Sequence, residues 1–192
     1  MADYRRACVA GGSFFLTIVT NYRRAILTAE LGRRLLRRAL IETGRERPFT
    51  IDAMVMLPDH FHTVWTLPDG DADFSTRVRL VKGRFTHHYR EAGGLEGGQS
   101  KSRRSKGERS TWQRRFWEHV VRDDEEYERI CDYIHYNPVK HGQANCPHAW
   151  PYSSFHRFVR GGRYEPSWNC VCRGRAIEAR RDFESVCRFA GE

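Results

Sequence analysis

Apolar residues recur along the first part of this chain with two periods, one typical of strands and one typical of helices. Residues 13–20 follow two glycines and are rich in aromatic and β-branched types, which favours a strand. Residues 29–44 carry apolar side chains at helical spacing with arginines between them. They predict an amphipathic helix that ends at Gly44. The apolar positions of that helix are Leu31, Leu35, Leu36, Ala39 and Leu40.

Two further strands joined by a turn are predicted between residues 49 and 67. Alternate apolar positions over 49–57 place one side of that segment against a core. Pro58 and Asp59 form the turn, and residues 60–67 return as the second strand of a hairpin. The positions expected on one face of the first strand are Ile51, Ala53, Val55 and Leu57.

The second half of the chain predicts two more helices separated by a loop and a strand. Residues 74–89 have helical periodicity, whereas 93–110 are rich in Gly, Ser and cations and predict a mobile basic surface loop. Order resumes over 112–122, whose last part is interpreted as a strand. A third helix starts at Asp123 and Asp124, because acidic residues suit a helix N-terminus, and Pro138 is expected to end it.

The predicted order is β-α-β-β-α-β with one helix after it. This order indicates an α+β protein with the ferredoxin-like split βαβ arrangement, an antiparallel sheet with helices on one face. The additional helix would carry catalytic residues, and an irregular tail would follow it. We therefore expect one domain over 1–160, which includes the flexible loop 93–110, and a C-terminal tail over 161–192.

The charge of the chain favours a polyanionic partner. Lys plus Arg number 33 against 24 Asp plus Glu, so the formal net charge is +9 over 192 residues. Arginine dominates the cations, and its planar guanidinium donates paired hydrogen bonds to phosphate. Nucleic acid is the partner that this surplus indicates, and a merely solvated basic surface is the alternative.

Neither a membrane span nor a secretory leader is predicted. No apolar run approaches the roughly 18 to 20 residues that cross a bilayer, and residues 1–10 have no apolar stretch of signal-peptide length. A cytoplasmic protein with no membrane partner is expected. The six cysteines show no spacing typical of zinc sites, so reduced thiols are the expectation.

The segment His60-Phe61-His62 predicts a metal-binding face on the third strand. Side chains alternate along a strand, so both imidazoles point the same way while Phe61 points into the core. Two imidazoles about 7 Å apart at their Cα atoms are able to converge on one divalent ion. The alternative is a pair of ordinary half-exposed histidines beside a turn.

The third helix offers a nucleophile and a further ligand. Tyr133 lies at the edge of its apolar stripe, and Asn137 lies one turn on along the same side. The tyrosine hydroxyl would face a cleft, and the asparagine amide would complete a metal site. The alternative is a tyrosine at a helix–sheet boundary with an end-capping asparagine. Tyr136 lies on nearly the same face as Tyr133, and spacing alone does not decide between these two nucleophiles.

Together these groups predict phosphodiester chemistry. Two imidazoles and an amide leave room for phosphate and water, which suits Mg²⁺ or Mn²⁺. A tyrosine hydroxyl is a poor nucleophile at its ordinary pKa of about 10, and a nearby metal and cations favour its phenolate. Attack would join DNA to the tyrosine and keep the energy of the cleaved bond for rejoining.

Four ordered blocks of the sequence resemble the REP-associated tyrosine transposases, which belong to the single-tyrosine transposases with a His–hydrophobe–His motif. The resemblance covers about residues 4–158, and its blocks are 58–62 (PDHFH), 112–119 (WQRRFWEH), 132–142 (DYIHYNPVKHG) and 150–156 (WPYSSFH). Residues 4–6 and 11–13 also match. The tail beyond Gly161 is poorly matched, and the loop 93–110 is where departure from shorter relatives is expected.

The resemblance implies a role for each group. His60 and His62 would bind the metal, Tyr133 would be the nucleophile, and Asn137 would be the third ligand or an aid to the site. The implied substrate is single-stranded DNA with repetitive extragenic palindromes, which are imperfect hairpins. The implied reaction is cleavage that forms a 5′-phosphotyrosine and a free 3′-hydroxyl. The implied state is a monomer, whereas wider insertion-sequence relatives imply a dimer.

Phosphate contacts are expected from cations near the site. They would set affinity and its salt dependence rather than sequence choice. A hairpin-binding protein that has lost catalysis, and a metal nuclease that uses water, are the alternative functions. The candidate DNA-binding residues are Arg5, Arg6, Arg77, Arg84, Arg114, Arg115, Lys140 and Arg157.

Overall fold

A computed structural model describes residues 9–98, 100–107, 109–170, 186–187 and 190. Within them the chain forms four strands, five α-helices and two short 3₁₀ turns, Asn21–Arg23 and Pro147–Ala149. The strands and helices in chain order are β1 Ser13–Val19, α1 Glu30–Glu46, β2 Thr50–Met56, β3 His60–Thr66, α2 Phe74–Glu91, α3 Lys101–Ser105, β4 Trp117–Val120, α4 Asp124–Lys140 and α5 Phe155–Arg160.

The four strands form one sheet in the order β2-β3-β1-β4, and every neighbouring pair is antiparallel. This arrangement confirms the predicted ferredoxin-like α+β fold. One face of the sheet packs against α1 and α2 through Phe14, Phe61 and Trp65, all of which are buried. The other face packs against α4 through residues such as Phe15 and Val64.

The alternation of side chains along β3 determines which face of the sheet holds His60 and His62. Phe61 and Trp65 enter the core between the sheet and the first two helices, whereas Val64 belongs to the core under α4. His60 and His62 have the same parity as Val64 and therefore face α4. The predicted metal-binding face and the predicted nucleophile helix consequently lie on the same side of the sheet.

The start of β2 differs from the prediction. The pairing of β2 with β3 shifts register between Ile51 and Ala53, as at a β-bulge. Ile51 therefore packs towards α1 and α2, whereas Ala53 and Val55 pack towards α4. A single extra residue in a strand moves the preceding side chains to the opposite face, and simple alternation does not anticipate it.

Two helix ends also differ from the prediction. Gly44 does not end α1, which continues to Glu46 and stops before Pro48, since a proline disfavours helical geometry in the residue that precedes it. Pro138 does not end α4, which continues to Lys140. Proline removes one backbone hydrogen bond, yet the N–H of His141 still donates to the carbonyl of Asn137 at 3.0 Å. Asn137 thus keeps its helical position one turn after Tyr133.

The basic loop and the tail make specific contacts where the structure describes them. Within 93–110 the chain forms the short helix α3, and the Glu96 carboxylate accepts a hydrogen bond from the hydroxyl of Thr111 at 3.0 Å. In the tail, the ring of Tyr164 stacks on Phe155 and Phe158. The described part of the tail therefore packs against the helices of the domain. No helix among the described residues is long and apolar enough to span a bilayer.

Candidate active site

Three aromatic side chains meet between β3 and α4. The imidazole ring centres of His60 and His62 are 4.9 Å apart, and the ring centre of Tyr133 is 5.4 Å from that of His62. Phe15 on β1 stacks on His62 and meets the edge of Tyr133. The strand period and the helix packing thus bring the predicted histidines and the predicted nucleophile together.

The Nδ1 atom of each histidine is held by a neighbouring oxygen. His60 Nδ1 lies 2.6 Å from Asp59 Oδ1, and His62 Nδ1 lies 2.9 Å from Thr17 Oγ1. A metal-binding histidine ordinarily has one ring nitrogen engaged in this way, which fixes the orientation of the ring. Nε2 is therefore the atom through which either histidine would bind a metal.

Asp59 is held in its charged form by its neighbours. Burial alone would raise the pKa of this carboxyl, but the hydrogen bond from His60 and the guanidinium of Arg23 together hold the pKa below its usual value. Arg23 Nη1 lies 3.1 Å from Asp59 Oδ2. An ionised Asp59 accepts a hydrogen bond from His60 and makes that imidazole a more basic ligand.

Tyr133 has a cation next to its hydroxyl. The ammonium of Lys140 lies 3.4 Å from Tyr133 Oη and 5.0 Å from the centre of the phenol ring. The prediction that the hydroxyl faces an open cleft is wrong, because Tyr133 is only 1% exposed. Val186 and Ala190 belong to the same apolar cluster as this tyrosine.

Asn137 is fully buried, and neither atom of its side-chain amide has a hydrogen-bond partner among the described residues. A buried amide without a partner is costly, so such a group indicates an interaction that the protein atoms do not supply. An amide oxygen and two imidazole nitrogens form a donor set that suits a divalent cation. The residues present therefore fit the metal that was predicted from the sequence.

Two residues that the sequence analysis left out also lie near this site. The imidazole ring of His141 is 5.4 Å from that of His60. Thr17 lies directly opposite His62 in the pairing of β1 with β3. Neither residue had a signal within its own element, because the position of Thr17 depends on the pairing of β1 with β3 and that of His141 on where α4 ends.

A buried polar network fixes α4 from its other side. His135 Nε2 lies 2.7 Å from Ser154 Oγ, and Tyr164 donates its hydroxyl hydrogen to Asp132 at 2.7 Å. His135 Nδ1 lies 3.2 Å from the oxygen of Tyr164. Burial lowers the pKa of His135 to about 3, and the charge of Arg157 acts in the same direction. Asp132 and His135, which lie on either side of Tyr133 in the sequence, thus both contact Tyr164, and His135 is neutral.

One candidate DNA contact is corrected by the structure. Arg77 is only 1% exposed, and its guanidinium donates hydrogen bonds to Asp71 Oδ2 at 2.6 Å and to the carbonyls of Asp73 and Pro48. These partners occupy the guanidinium inside the protein, so DNA phosphate has no access to it. The helical position of Arg77 suggested a surface cation, but the side chain turns inward towards loop carbonyls.

The remaining candidate cations are spread over several surfaces. Arg84 pairs with Glu46 on the α1–α2 side, away from His62, and Arg157 donates to the carbonyls of Ile51 and Asp52. Lys140 alone among the described candidates contacts Tyr133. Arg5 and Arg6 lie outside the described residues.

Arg114 and Arg115 are exposed on the segment that precedes β4. Arg114 lines an open groove of about 600 Å³ beside α2, which also includes Arg79, Lys82 and Arg90. A groove with this many cations is suited to phosphate. It belongs to the α2 side of the fold, whereas the histidines face α4.

Comparison with known proteins identifies the family. The family model described as "Transposase IS200 like" matches residues 8–137. The chain is 42% identical over 169 residues to the REP-associated tyrosine transposase of Escherichia coli K12, covering 88% of this chain and 91% of the relative. It is 40% identical over 170 residues to a putative REP-associated tyrosine transposase of Haemophilus influenzae, covering 88% and 93%.

A solved structure agrees with these relatives. It is the structure of a REP-associated tyrosine transposase bound to a REP hairpin, with 40% identity and a TM-score of 0.73. The match covers 94% of this chain and 98% of that one. The chain therefore belongs to the IS200-like transposase family, in the group of the REP-associated tyrosine transposases.

Proposed function

We propose that this protein is a metal-dependent DNA strand transferase that cleaves and rejoins single-stranded DNA at repetitive extragenic palindromes. The observation that carries the proposal is the position of Tyr133, whose ring meets His62 while its hydroxyl lies 3.4 Å from the ammonium of Lys140. A phenol next to a cation and next to two metal-binding imidazoles has the surroundings that a phosphodiester nucleophile requires.

His60, His62 and Asn137 would hold the metal, which we propose to be Mg²⁺ or Mn²⁺. When bound, this ion would polarise the phosphate oxygens. Asp59 and Thr17 support the assignment, because each engages the Nδ1 atom of one histidine and orients its ring. Asn137 supports it through its buried amide, which has no hydrogen-bond partner among the described residues.

The proposed reaction transfers a DNA phosphate from the 3′-oxygen to Tyr133 and back. Tyr133 gives its phenolic proton to water, and the charge of Lys140 stabilises the phenolate. The phenolate oxygen then forms a bond to phosphorus while the bond from phosphorus to the 3′-oxygen breaks. The released 3′-oxygen takes a proton, and the 5′-phosphate stays on Tyr133. Attack of a 3′-hydroxyl on this phosphotyrosine reverses the step and rejoins DNA without ATP.

The burial of Tyr133 means that DNA reaches the hydroxyl only after the groups covering it move.

The substrate assignment rests on the relatives and on charge. One similar protein has a solved structure bound to a REP hairpin. The formal net charge of +9 suits a polyanion of this kind, and Lys140, Arg114 and Arg115 are the exposed cations that we propose as phosphate contacts. We further propose that the protein acts as a monomer and works in the cytoplasm, where chromosomal palindromes are accessible.

A covalent-adduct assay tests the proposal. Purified protein is mixed with labelled single-stranded palindrome from its own genome, with or without Mg²⁺ or Mn²⁺, and resolved on a denaturing gel. The expected result is a protein–DNA band that requires metal and is absent in Tyr133→Phe. Tyr136→Phe is the matched control, because Tyr136 is a half-buried tyrosine on the same helix, and we expect it to keep the band.

Each other outcome of this assay would indicate a different activity or a different nucleophile. Cleavage without an adduct would mean a metal nuclease that uses water. Hairpin binding with neither cleavage nor adduct would mean a binding protein that has lost catalysis. A band that persists in Tyr133→Phe and disappears in Tyr136→Phe would move the nucleophile by three residues.

A further inference from the structure

Three side chains that are not part of the proposed active site, Cys146, His148 and Cys170, form a group of potential metal ligands, and we refer to them as the cysteine–histidine cluster. The two sulfur atoms and one imidazole nitrogen all lie within 4.8 Å of one another. Cys146 is buried, Cys170 is half-buried, and His148 is exposed. Cys146 and Cys170 form a disulfide bond in this structure, which differs from the reduced thiols expected from the sequence.

The chemistry of the three donors favours zinc when the thiols are reduced. Thiolate and imidazole are the usual ligands of tetrahedral Zn²⁺, whereas Mg²⁺ and Ca²⁺ take oxygen ligands. Two Zn–S bonds of about 2.3 Å at the tetrahedral angle place the sulfurs roughly 3.8 Å apart. The cluster reaches that geometry by a modest separation of the two side chains. We propose that Cys146, His148 and Cys170 bind a structural Zn²⁺ ion in the reduced protein.

The position of the cluster explains what the ion would do. Cys146 and His148 belong to the turn that follows α4, whereas Cys170 lies 24 residues after Cys146, beyond α5. Between α5 and Cys170 the ring of Trp168 stacks on Tyr164. Tyr164 in turn holds Asp132 of α4. Zinc would therefore fasten the two ends of a segment that packs against the nucleophile helix.

A structural zinc site ordinarily has four protein ligands. The described residues supply three, and the proposal requires only these three with a fourth donor from water or protein. The sequence has another thiol, Cys172, two residues after Cys170. This site was not predicted from the sequence, because a Cys-x-His pair and a Cys-x-Cys pair differ from the familiar zinc-ligand spacings, and 21 residues separate the two pairs.

Metal analysis of the full chain tests the proposal. A His60→Ala/His62→Ala/His87→Ala variant is used as the background, because it removes the proposed active-site metal and disrupts the candidate group of His87, His88 and Glu91. This protein is purified with a thiol reductant, and its zinc content is measured by mass spectrometry. We expect about one zinc ion per chain. We expect the bound zinc to be lost when Cys146→Ser or Cys170→Ser is added. We expect His148→Ala to weaken the affinity for zinc. Cys187→Ser and His156→Ala are matched controls outside the cluster, and both should keep the metal.

Cobalt substitution gives a readout that does not depend on DNA cleavage. Co²⁺ bound by thiolates has a sulfur-to-metal charge-transfer band that imidazole and amide ligands cannot produce. We expect this band in the reduced background protein and its loss in Cys170→Ser. A failure of the adduct assay would leave this result unchanged, so the two proposals fail separately.

Three outcomes would overturn the zinc proposal. The first is reduced, folded protein that neither retains zinc nor shows the cobalt band. The second is zinc that persists in Cys146→Ser and Cys170→Ser. The third is a bond between Cys146 and Cys170 that survives the reductant in intact-mass and peptide analysis, which would assign the pair as a structural disulfide. If a cysteine variant unfolds, His148→Ala retains both thiols, and a reduced cobalt affinity in that variant decides the question.

Discussion

The ammonium of Lys140 lies 3.4 Å from the hydroxyl of Tyr133, and both residues belong to α4. Seven residues separate them, which is two helical turns, so their side chains lie along one side of the helix. Because α4 continues through Pro138, Lys140 stays in register with Tyr133. A helix that ended at the proline would have removed this cation from the site.

Replacing Lys140 tests the importance of that contact for the nucleophile. Without a nearby cation the phenolate of Tyr133 is less favoured, so the rise of adduct formation with pH should move to higher pH in Lys140→Met. Single-turnover adduct formation measured from pH 6 to pH 10 checks this. Lys140→Arg should keep the profile, and a uniform loss of rate in Lys140→Met with no displacement would contradict the assigned role.

Replacing the groups that hold the imidazoles tests the metal site. Asp59→Asn and Thr17→Val remove the partners of His60 Nδ1 and His62 Nδ1, and each should weaken Mn²⁺ binding by about 10- to 100-fold. Calorimetric titration of Mn²⁺ measures this directly. Thr66→Val is the matched control, because Thr66 is a half-buried threonine at the other end of β3. Unchanged Mn²⁺ affinity in both site variants would exclude these residues as ligand supports.

The faces on which the proposed ligands and Tyr133 lie were predictable because local periodicity determines which way their side chains point, whereas the choice of Tyr133 over Tyr136 came from the family resemblance. His60 and His62 share a strand face, and Tyr133 and Asn137 share a helix side, so short sequence windows hold this information. Thr17 and His141 depend on the pairing of β1 with β3 and on where α4 ends. Those relationships join residues far apart in the chain, and periodicity within one element does not contain them.

Arg77 should contribute to stability and not to DNA binding. Arg77→Met removes hydrogen bonds to three carbonyls and leaves Asp71 without its buried partner. The arginine also holds the pKa of Asp71 below its usual value. The expected loss in the free energy of unfolding is about 2 to 4 kcal/mol, measured by urea denaturation. Hairpin affinity per folded molecule should be unchanged, and an affinity loss without a stability loss would restore the discarded DNA role.

The predictions that failed each relied on a local sequence rule that a stronger interaction in the folded protein overrides. Helical spacing placed Arg77 among surface cations, but buried loop carbonyls and Asp71 bind its guanidinium inside the fold. Strand alternation predicted Ile51 and Ala53 on the same face of β2, but a register shift between them puts the two side chains on opposite faces. Pro138 was expected to stop α4, but the final turn keeps enough hydrogen bonds to continue. Each outcome depends on packing or pairing that residue type alone does not define.

His135 should make the protein less stable in mild acid. Its pKa is about 3 in the folded state against an ordinary value of 6.5. The neutral form is therefore favoured by folding, and its contribution is fully present above pH 6.5. As pH falls from 7 to 5 the unfolded state takes up the proton first, so the free energy of unfolding should drop by about 2 kcal/mol from this group.

Comparison with a variant isolates that contribution. His135→Gln removes the titrating group and should lose stability at pH 7, but its stability should change less between pH 7 and pH 5. Urea denaturation at both pH values gives the difference. His156→Gln, a half-buried histidine on α5, should retain the slope of the parent protein. Parallel slopes in the parent protein and in His135→Gln would mean that His135 takes up its proton over the same pH range in the folded and unfolded states, which would contradict the lowered pKa.

The salt dependence of hairpin binding should identify which exposed arginines contact phosphate. Each cation that neutralises a phosphate releases counterions. Arg114→Ala and Arg115→Ala should therefore each lower the slope of log affinity against log salt by about 0.7 to 0.9. Their affinity losses should be nearly equal for the specific hairpin and for an unrelated one, because phosphate contacts do not read sequence.

Arg38→Ala serves as the control, since Arg38 is an exposed arginine that pairs with Glu42 on α1. A slope unchanged in Arg114→Ala and Arg115→Ala would mean that DNA does not reach the segment before β4. Lys140, the cation beside Tyr133, would then remain as a proposed phosphate contact.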